Sequence, residues 1–466
     1  MDSVTASEKR LKRQIIGKPH RFLAIAPLGF EQTLAREIEF CNPQVVGDGK
    51  VEFTAKITDA WKAVAYTRVA NRILMHIADF RAENFRDLEK KAAEIPWELY
   101  LDNGGQASIQ IHVTCKHSRL YHSDAVAERL YNVITESLQN CHSGAEGDRV
   151  QAEDLSQNLY VSLIDDRCSL WLDLAGEELY KRGHERFVND APLKETIAAG
   201  MILEACEILR LRAAHSAQDD TAPANIALID PMAGSGTFSL EAAYMASGLI
   251  PGKCRDFALK HQPAFKPATW NHIVNFSSRG NEVTAAITYP IRNILTSDIS
   301  ERAVGIIRHN IECSPLAQSL PAKDCVTGAP SSPATNTKPA TSITPQLRDF
   351  FTYTAKEIAD TCRAASQPVI VLNPPYGKRL DFDAPKLYTK IGKKLAELAL
   401  ELAPFGMHIT VAILAPKDDS RPGSKFTCTT NLLHECKALD PAKNASAKLI
   451  ETSHGGLGLN VFIARI

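Results

Sequence analysis

Apolar and polar positions change their period several times along this chain. In RFLAIAPLGFEQTLAREIEF (21–40) a short apolar run ends at Pro27 and Gly29, after which Leu34, Ile38 and Phe40 fall at helical spacing. GKVEFTAKITDAWKAVAYTRVANRILMHIADF repeats the order: Val51 and Phe53 alternate, then Trp61, Val64, Ala65, Val69 and Ile73 mark one helical face. Two strand-then-helix units predict a small α+β domain ending near residue 82. Beyond it come an amphipathic helix from Phe85 to Ala93, the strand ASIQIHVTCKHSRLYH, a helix capped at Ser123 or Asp124, and the strands of LYVSLIDDRCSLWLDLAG. A further helix is expected after Asp190, with Pro192 in its first turn. From Ala224 onward, strand-like runs (NIALID, RNILTSDI, PVIVLN, MHITVAILA, LNVFIARI) alternate with helical stretches, the pattern of a mostly parallel sheet covered on both faces. One Ser/Pro/Thr-rich segment, 313–346, interrupts the alternation and reads as a solvated insertion loop away from the site.

Composition narrows the class. With 466 residues, 44% of them hydrophobic and 23% charged, the chain can bury two or three cores. A net charge of -1 gives no global attraction to nucleic acid, so any polyanion-binding surface must come from local clusters of Lys and Arg. Eleven cysteines include no C-x-x-C pair and no metal-ligand spacing, which reads as reduced thiols in a cytoplasmic protein without a metal centre. Residues 1–20 are basic from Lys9 and lack the apolar core of a secretory signal, so a flexible arm is expected there. No apolar run approaches the ~18 residues that a membrane span needs.

Two strand ends carry chemistry. ALIDPMAGSGTFSLEAA passes from strand to helix through Asp230, Gly234, Ser235, Gly236 and Thr237, where bare backbone and a helix start can meet a ligand closely. A dinucleotide fingerprint would need Gly or Ala where Ser239 stands, and a phosphate loop would need a lysine that is missing. An acid at the strand tip suits a cationic ligand end better than a phosphate. In VIVLNPPYGKR a buried strand stops at Asn373, Pro374, Pro375 and Tyr376. Two acceptors, the Asn373 side-chain oxygen and the Pro374 carbonyl, can hold the hydrogens of an exocyclic amine and push its nitrogen toward the tetrahedral geometry that attack requires. The prolines fix that carbonyl without adding a donor, Tyr376 offers a ring for a base to stack on, and Lys378 and Arg379 suit a phosphate.

Together, D-P-x-x-G-S-G-T, the acid Asp298 ending ILTSDIS, and N-P-P-Y resemble the class I S-adenosylmethionine-dependent methyltransferases that modify amino groups. That resemblance implies a seven-stranded Rossmann-like α/β sheet. It also implies S-adenosylmethionine held by Asp230, Pro231, Gly234, Ser235, Gly236, Thr237, Asp298 and Asp349, and a target amine held at Asn373 to Tyr376. Asp298 would take the ribose hydroxyls and Asp349 the adenine, while Ala233 stands where the family often has Cys. VTCKHSRLYHSDAVAERL and DLAGEELYKRGHERFVNDAPLKETIAA resemble the THUMP-containing RNA methyltransferases, with a ferredoxin-like segment ahead of the THUMP fold. The implied organisation is 21–82 ferredoxin-like, 83–186 THUMP, with Lys116 and Arg119 as RNA contacts, and 187–466 methyltransferase. LIPGKCRDFALKHQPAFKPATW is similar to the bacterial ribosomal type, which makes a guanine amino group of 23S rRNA the first expected substrate and tRNA the second, with a non-catalytic RNA-binding protein on the same scaffold as the third reading.

Overall fold

The computed structural model describes residues 6–101, 109–140, 157–188, 192–216, 225–275, 289–317, 343–362, 366–376, 383–419, 421 and 426–466. Asp190, Lys378, Arg379 and most of the 313–346 segment lie outside these. The chain divides into two compact units.

The first unit is built on one seven-stranded sheet of order β2-β3-β1-β4-β7-β6-β5. Strand β1 (Pro19–Ile25) pairs antiparallel with β3 (Lys50–Lys56) and with β4 (Arg72–Arg81), and β2 (Gln44–Gly47) lies on the outer side of β3. Strand β4 then pairs antiparallel with β7 (Arg167–Asp173), β7 with β6 (Gln157–Ile164), and β5 (Ile109–Lys116) runs parallel to β6 at the far edge. The segments 21–82 and 83–186, expected as ferredoxin-like and THUMP, therefore share a sheet, joined along β4 and β7. The segment from Arg255 also packs in this unit: its guanidinium donates to the carbonyls of Glu177 (2.7 Å), Glu178 (2.7 Å) and Lys181 (2.6 Å).

One expected helix is shorter than its periodicity suggests. It spans Ile57–Tyr66, and the chain is already in β4 at Ile73. The reason is distant in sequence: the Glu37 carboxylate accepts from the Arg68 and Val69 amides (both 3.0 Å) and from the Thr67 hydroxyl (2.8 Å). Donors that a continuing helix would send to carbonyls four residues back are bound elsewhere, so the helix stops.

The second unit has a sheet of order β10-β9-β8-β11-β12-β14-β13. Strands β8 (Asn225–Asp230), β9 (Ile291–Asp298), β10 (Ile343–Leu347), β11 (Ser366–Leu372) and β12 (Thr410–Pro416) are parallel. Strand β14 (Leu457–Arg465) runs antiparallel between β12 and β13 (Lys448–His454). Numbered within the unit this is 3-2-1-4-5-7-6, the doubly wound order with a reversed hairpin at one edge. Central strands β8, β11 and β12 are buried on both faces, which is why they read as continuous apolar runs rather than alternations. Strand β10 corrects part of the insertion reading, since four of its five residues fall inside 313–346 and the strand pairs with β9. Pro345 hides it from pattern analysis, yet proline is tolerated on an edge strand, where one row of amides is unpaired anyway.

No helix among the described residues is long and apolar enough to cross a membrane, and the described cysteines are free thiols.

Candidate active site

Strand order reverses between β8 and β11, and in doubly wound sheets the crevice at the carboxyl ends of such strands is where ligands sit. A cavity of ≈ 540 Å³ opens there. Its wall brings together Pro231, Gly234, Ser235 and Thr237 from the β8 turn, Asp298 from the end of β9, Asp349 beyond β10, and Asn373 to Tyr376 beyond β11. Residues up to 145 positions apart in sequence, Pro231 and Tyr376, thus meet because four parallel strands all end at one edge.

The glycine turn works through two different glycines. Gly236 has φ +79°, and a Cβ there would press on Ile307 at 3.1 Å, so this position serves close packing. Gly234 has φ +56°, and a Cβ would meet no protein atom within 4 Å, so its bare backbone faces open space. Asp298 fixes the turn: Oδ2 accepts from the Gly234 amide and Oδ1 from the Ser300 amide, both at 2.9 Å. The helix Glu301–Glu312 is capped by Ser300 rather than by Asp298. Each Asp298 oxygen keeps a lone pair beyond these bonds, so the carboxylate can accept hydroxyls from a ligand as well. Asp349 caps the short turn Phe350–Thr352, accepting from the Phe351 amide at 3.0 Å.

Asp230 stands behind this wall. It is fully buried, its Oδ2 accepts from the Ser239 hydroxyl (2.7 Å) and amide (3.2 Å), and Oδ1 has no partner among the described residues. Burial pushes its carboxyl up to about 7. It holds the start of the helix Thr237–Ser247 rather than facing the cavity.

At the Asn-Pro-Pro-Tyr corner, Asn373 Oδ1 is buried and without a partner among the described residues. Pro374 is buried and Pro375 is exposed. Burial pushes the Tyr376 hydroxyl up to about 12, so its ring is neutral at any working pH. The cavity also takes Ile299, Phe351, Leu387 and Lys390, which sequence reasoning missed. Ile299 carried a signal: it is 71% exposed although apolar and directly follows Asp298. Leu387 and Lys390 sit three residues apart on the helix Ala384–Leu402, so one face of that helix meets the cavity.

Behind the glycine turn, Arg182 makes a two-pronged bond to Glu241 (2.9 and 3.1 Å), both side chains almost fully buried. Arg186 donates to Ser235 (3.1 Å), to Thr237 and to Glu195. In the first unit, Lys116 is exposed at the end of β5, whereas Arg119 is ion-paired with Glu83 and lies 3.8 Å from Asp166.

Residues 182–324 match a family model described as the RMKL-like methyltransferase domain, and residues 21–74 match the RlmL ferredoxin-like domain. Residues 182–324 are thus similar to an RMKL-like methyltransferase domain. Among the relatives, a ribosomal RNA large subunit methyltransferase K/L of Syntrophotalea carbinolica is 26% identical over 386 residues, covering 81% of this chain and 47% of the relative. YpsC of Bacillus subtilis, provisionally named an RNA methyltransferase, is 27% identical and is covered over 80% of its length, against 78% of this chain. The chain thus spans about half the length of the ribosomal relatives it matches and most of YpsC. The crystal structure of SMU.472 complexed with SAH superposes with a TM-score of 0.67 at 22% identity, over 96% of this chain and 98% of that one, a likeness of fold. The RMKL-like match begins at the buried Arg182 and contains the glycine turn, Asp298 and the Ser300 cap, while the Asn-Pro-Pro-Tyr corner lies beyond it.

Proposed function

We propose that this chain methylates the exocyclic N2 amine of a guanine in RNA, 23S rRNA first, using S-adenosylmethionine. The observation that carries the reading is Asn373 Oδ1, buried and without a partner among the described residues, in the wall of a cavity shared with the glycine turn and Asp298. Buried acceptors are normally satisfied, and one left open at a rigid corner is placed for a donor that arrives with the substrate. An amine bonded by Asn373 Oδ1 and the Pro374 carbonyl presents its nitrogen lone pair, while Tyr376 supports the base. The wall fits the cofactor: Gly234 leaves room for it, Asp298 retains acceptor capacity for ribose hydroxyls, and Asp349 with Phe351 suits a heterocycle bearing an amine. When bound, S-adenosylmethionine supplies a methyl group already activated on sulfonium. Asp230 holds the turn from behind. RNA as the substrate is supported by the names of the relatives and by the THUMP-like sequence of residues 83–186. The test is radiolabelled methyl transfer to deproteinised 23S rRNA, followed by nucleoside analysis. Label on N2-methylguanosine is expected; label on adenine or on protein, with none on guanine, would sink the reading, and label on tRNA alone would move the substrate to the second choice.

A further inference from the structure

A second cavity, of ≈ 410 Å³, lies wholly within the first unit, over the ends of β5 and β6 and beside the turn at 176–181. We propose that it holds one unpaired nucleobase of the RNA, away from the reacting base. This rests on RNA being the substrate.

Three features point to a neutral planar ligand with both donors and acceptors on its edge. First, most of the charges around the cavity are already paired. Arg72 donates to Asp173 (2.5 Å) and to the Gly176 carbonyl (2.6 Å), Lys181 to Glu177 (2.8 Å), and His261 bonds Asp256 (2.7 Å). A wall so neutralised has little to gain from a free phosphate or a cation. Second, the rings form a platform. His112 stacks on Tyr160 with centroids 4.8 Å apart and planes 20° from parallel. The Arg72 guanidinium lies 5.4 Å from the Tyr160 centroid, so the stack is already braced. His112 projects from an exposed position on the edge strand and can extend the column by one more ring. Third, Gln157 is 1% exposed, lines the cavity, and neither its Oε1 nor its Nε2 has a partner among the described residues. A buried carboxamide left open on both atoms is costly, and it matches the adjacent donor and acceptor on a base edge, as Gln does when it reads a base in two bonds. A base stacked inside a duplex has no edge free for this, so the cavity selects single-stranded or splayed RNA.

The experiment uses the full chain and single-stranded RNA octamers carrying one 4-thiouridine, cross-linked with light and mapped by peptide mass spectrometry, with a 16-base-pair duplex as control. Adducts within 109–116, 157–164 or at Tyr180 are expected. His112→Ala and Gln157→Leu should each weaken octamer binding about tenfold, within the range for losing one base contact. Both should leave S-adenosylmethionine affinity and melting temperature near the native values. His112 is exposed, so its variant keeps the test valid should Gln157→Leu fold poorly. Adducts confined to other peptides, no adduct at all, or native octamer affinity in the His112 variant would overturn the proposal. Adducts at the cavity in a protein that methylates no RNA would overturn the proposed activity and leave this site standing. RNA methylation with unchanged octamer binding by the cavity variants would do the reverse.

Discussion

At the scale of single residues, Asn373 carries the strongest prediction. Its Oδ1 is buried and without a partner among the described residues, so removing it breaks no hydrogen bond seen there. Asn373→Ala is expected to lower kcat by about 10²–10³-fold, the loss typical of one oriented hydrogen bond at a reacting centre. Its melting temperature should be no lower than native and its S-adenosylmethionine affinity should stay within about threefold, read by calorimetry. A parallel fall in stability and rate would make Asn373 a structural residue. Tyr376 should tolerate Phe, because burial keeps the hydroxyl neutral and only the ring is used, whereas Tyr376→Ala should cost about 5- to 150-fold in kcat/KM. Asp230 predicts a pH dependence. Its folded carboxyl is raised to about 7, so the folded state holds a proton that the unfolded chain releases near pH 4. Its contribution to stability is complete below pH 4 and is lost as pH rises to about 7. Asp230→Asn carries no such charge, so its unfolding free energy relative to native should rise across that window and level off above pH 7. A difference that stays flat from pH 4 to 8 would show that the carboxyl is not elevated.

At the scale of elements, the helix Ala384–Leu402 shows how packing overrides local preference. Gly392 lies mid-helix, where alanine is ordinarily better by about 1 kcal/mol. Here a Cβ would sit 2.8 Å from both the Leu432 carbonyl oxygen and the Glu435 Cβ on the helix Cys428–Glu435, and backbone cannot step aside as a flexible side chain can. Gly392→Ala should therefore destabilise by about 1–3 kcal/mol in chemical denaturation, and Gly305→Ala, which meets nothing within 4 Å, should not destabilise. Because Leu387 and Lys390 share the Gly392 helix, activity should fall along with stability. The same contrast explains what the sequence could reveal. Strands β8, β11 and β12 were legible as unbroken apolar runs, and the glycine turn and the Asn-Pro-Pro-Tyr corner were legible because each is contiguous. Strand β4 was not, since its boundary is fixed by Glu37 thirty residues earlier, and neither was the cavity role of Leu387 and Lys390, whose helical spacing looks like any amphipathic face.

At the scale of the whole molecule, the net charge of -1 constrains how RNA can be held. A protein that neutralises phosphates over a broad face carries a large excess of base, and its affinity then falls steeply with salt. Here the candidates are few: Lys116 is exposed, Lys390 is exposed at the cavity, and Lys378 and Arg379 follow Tyr376, whereas Arg119 is occupied by Glu83. Three or four phosphate contacts on single-stranded RNA give a slope of roughly −2 to −3 for the logarithm of affinity against the logarithm of salt. Raising salt from 50 to 200 mM should then weaken RNA binding by about 15- to 60-fold. On the proposed reading, S-adenosylmethionine would be held by Asp298, Asp349 and the backbone of the Gly234 turn inside a cavity, where screening is weak, and its binding should change less than twofold over the same range. Lys390→Ala should reduce the RNA slope by about 0.7 without altering which base is methylated. A slope near −10 would demand a basic surface that this chain does not have in its net charge. A slope near zero would mean that RNA is gripped by its bases alone, and Lys116, Lys378, Arg379 and Lys390 would then lose their assigned role.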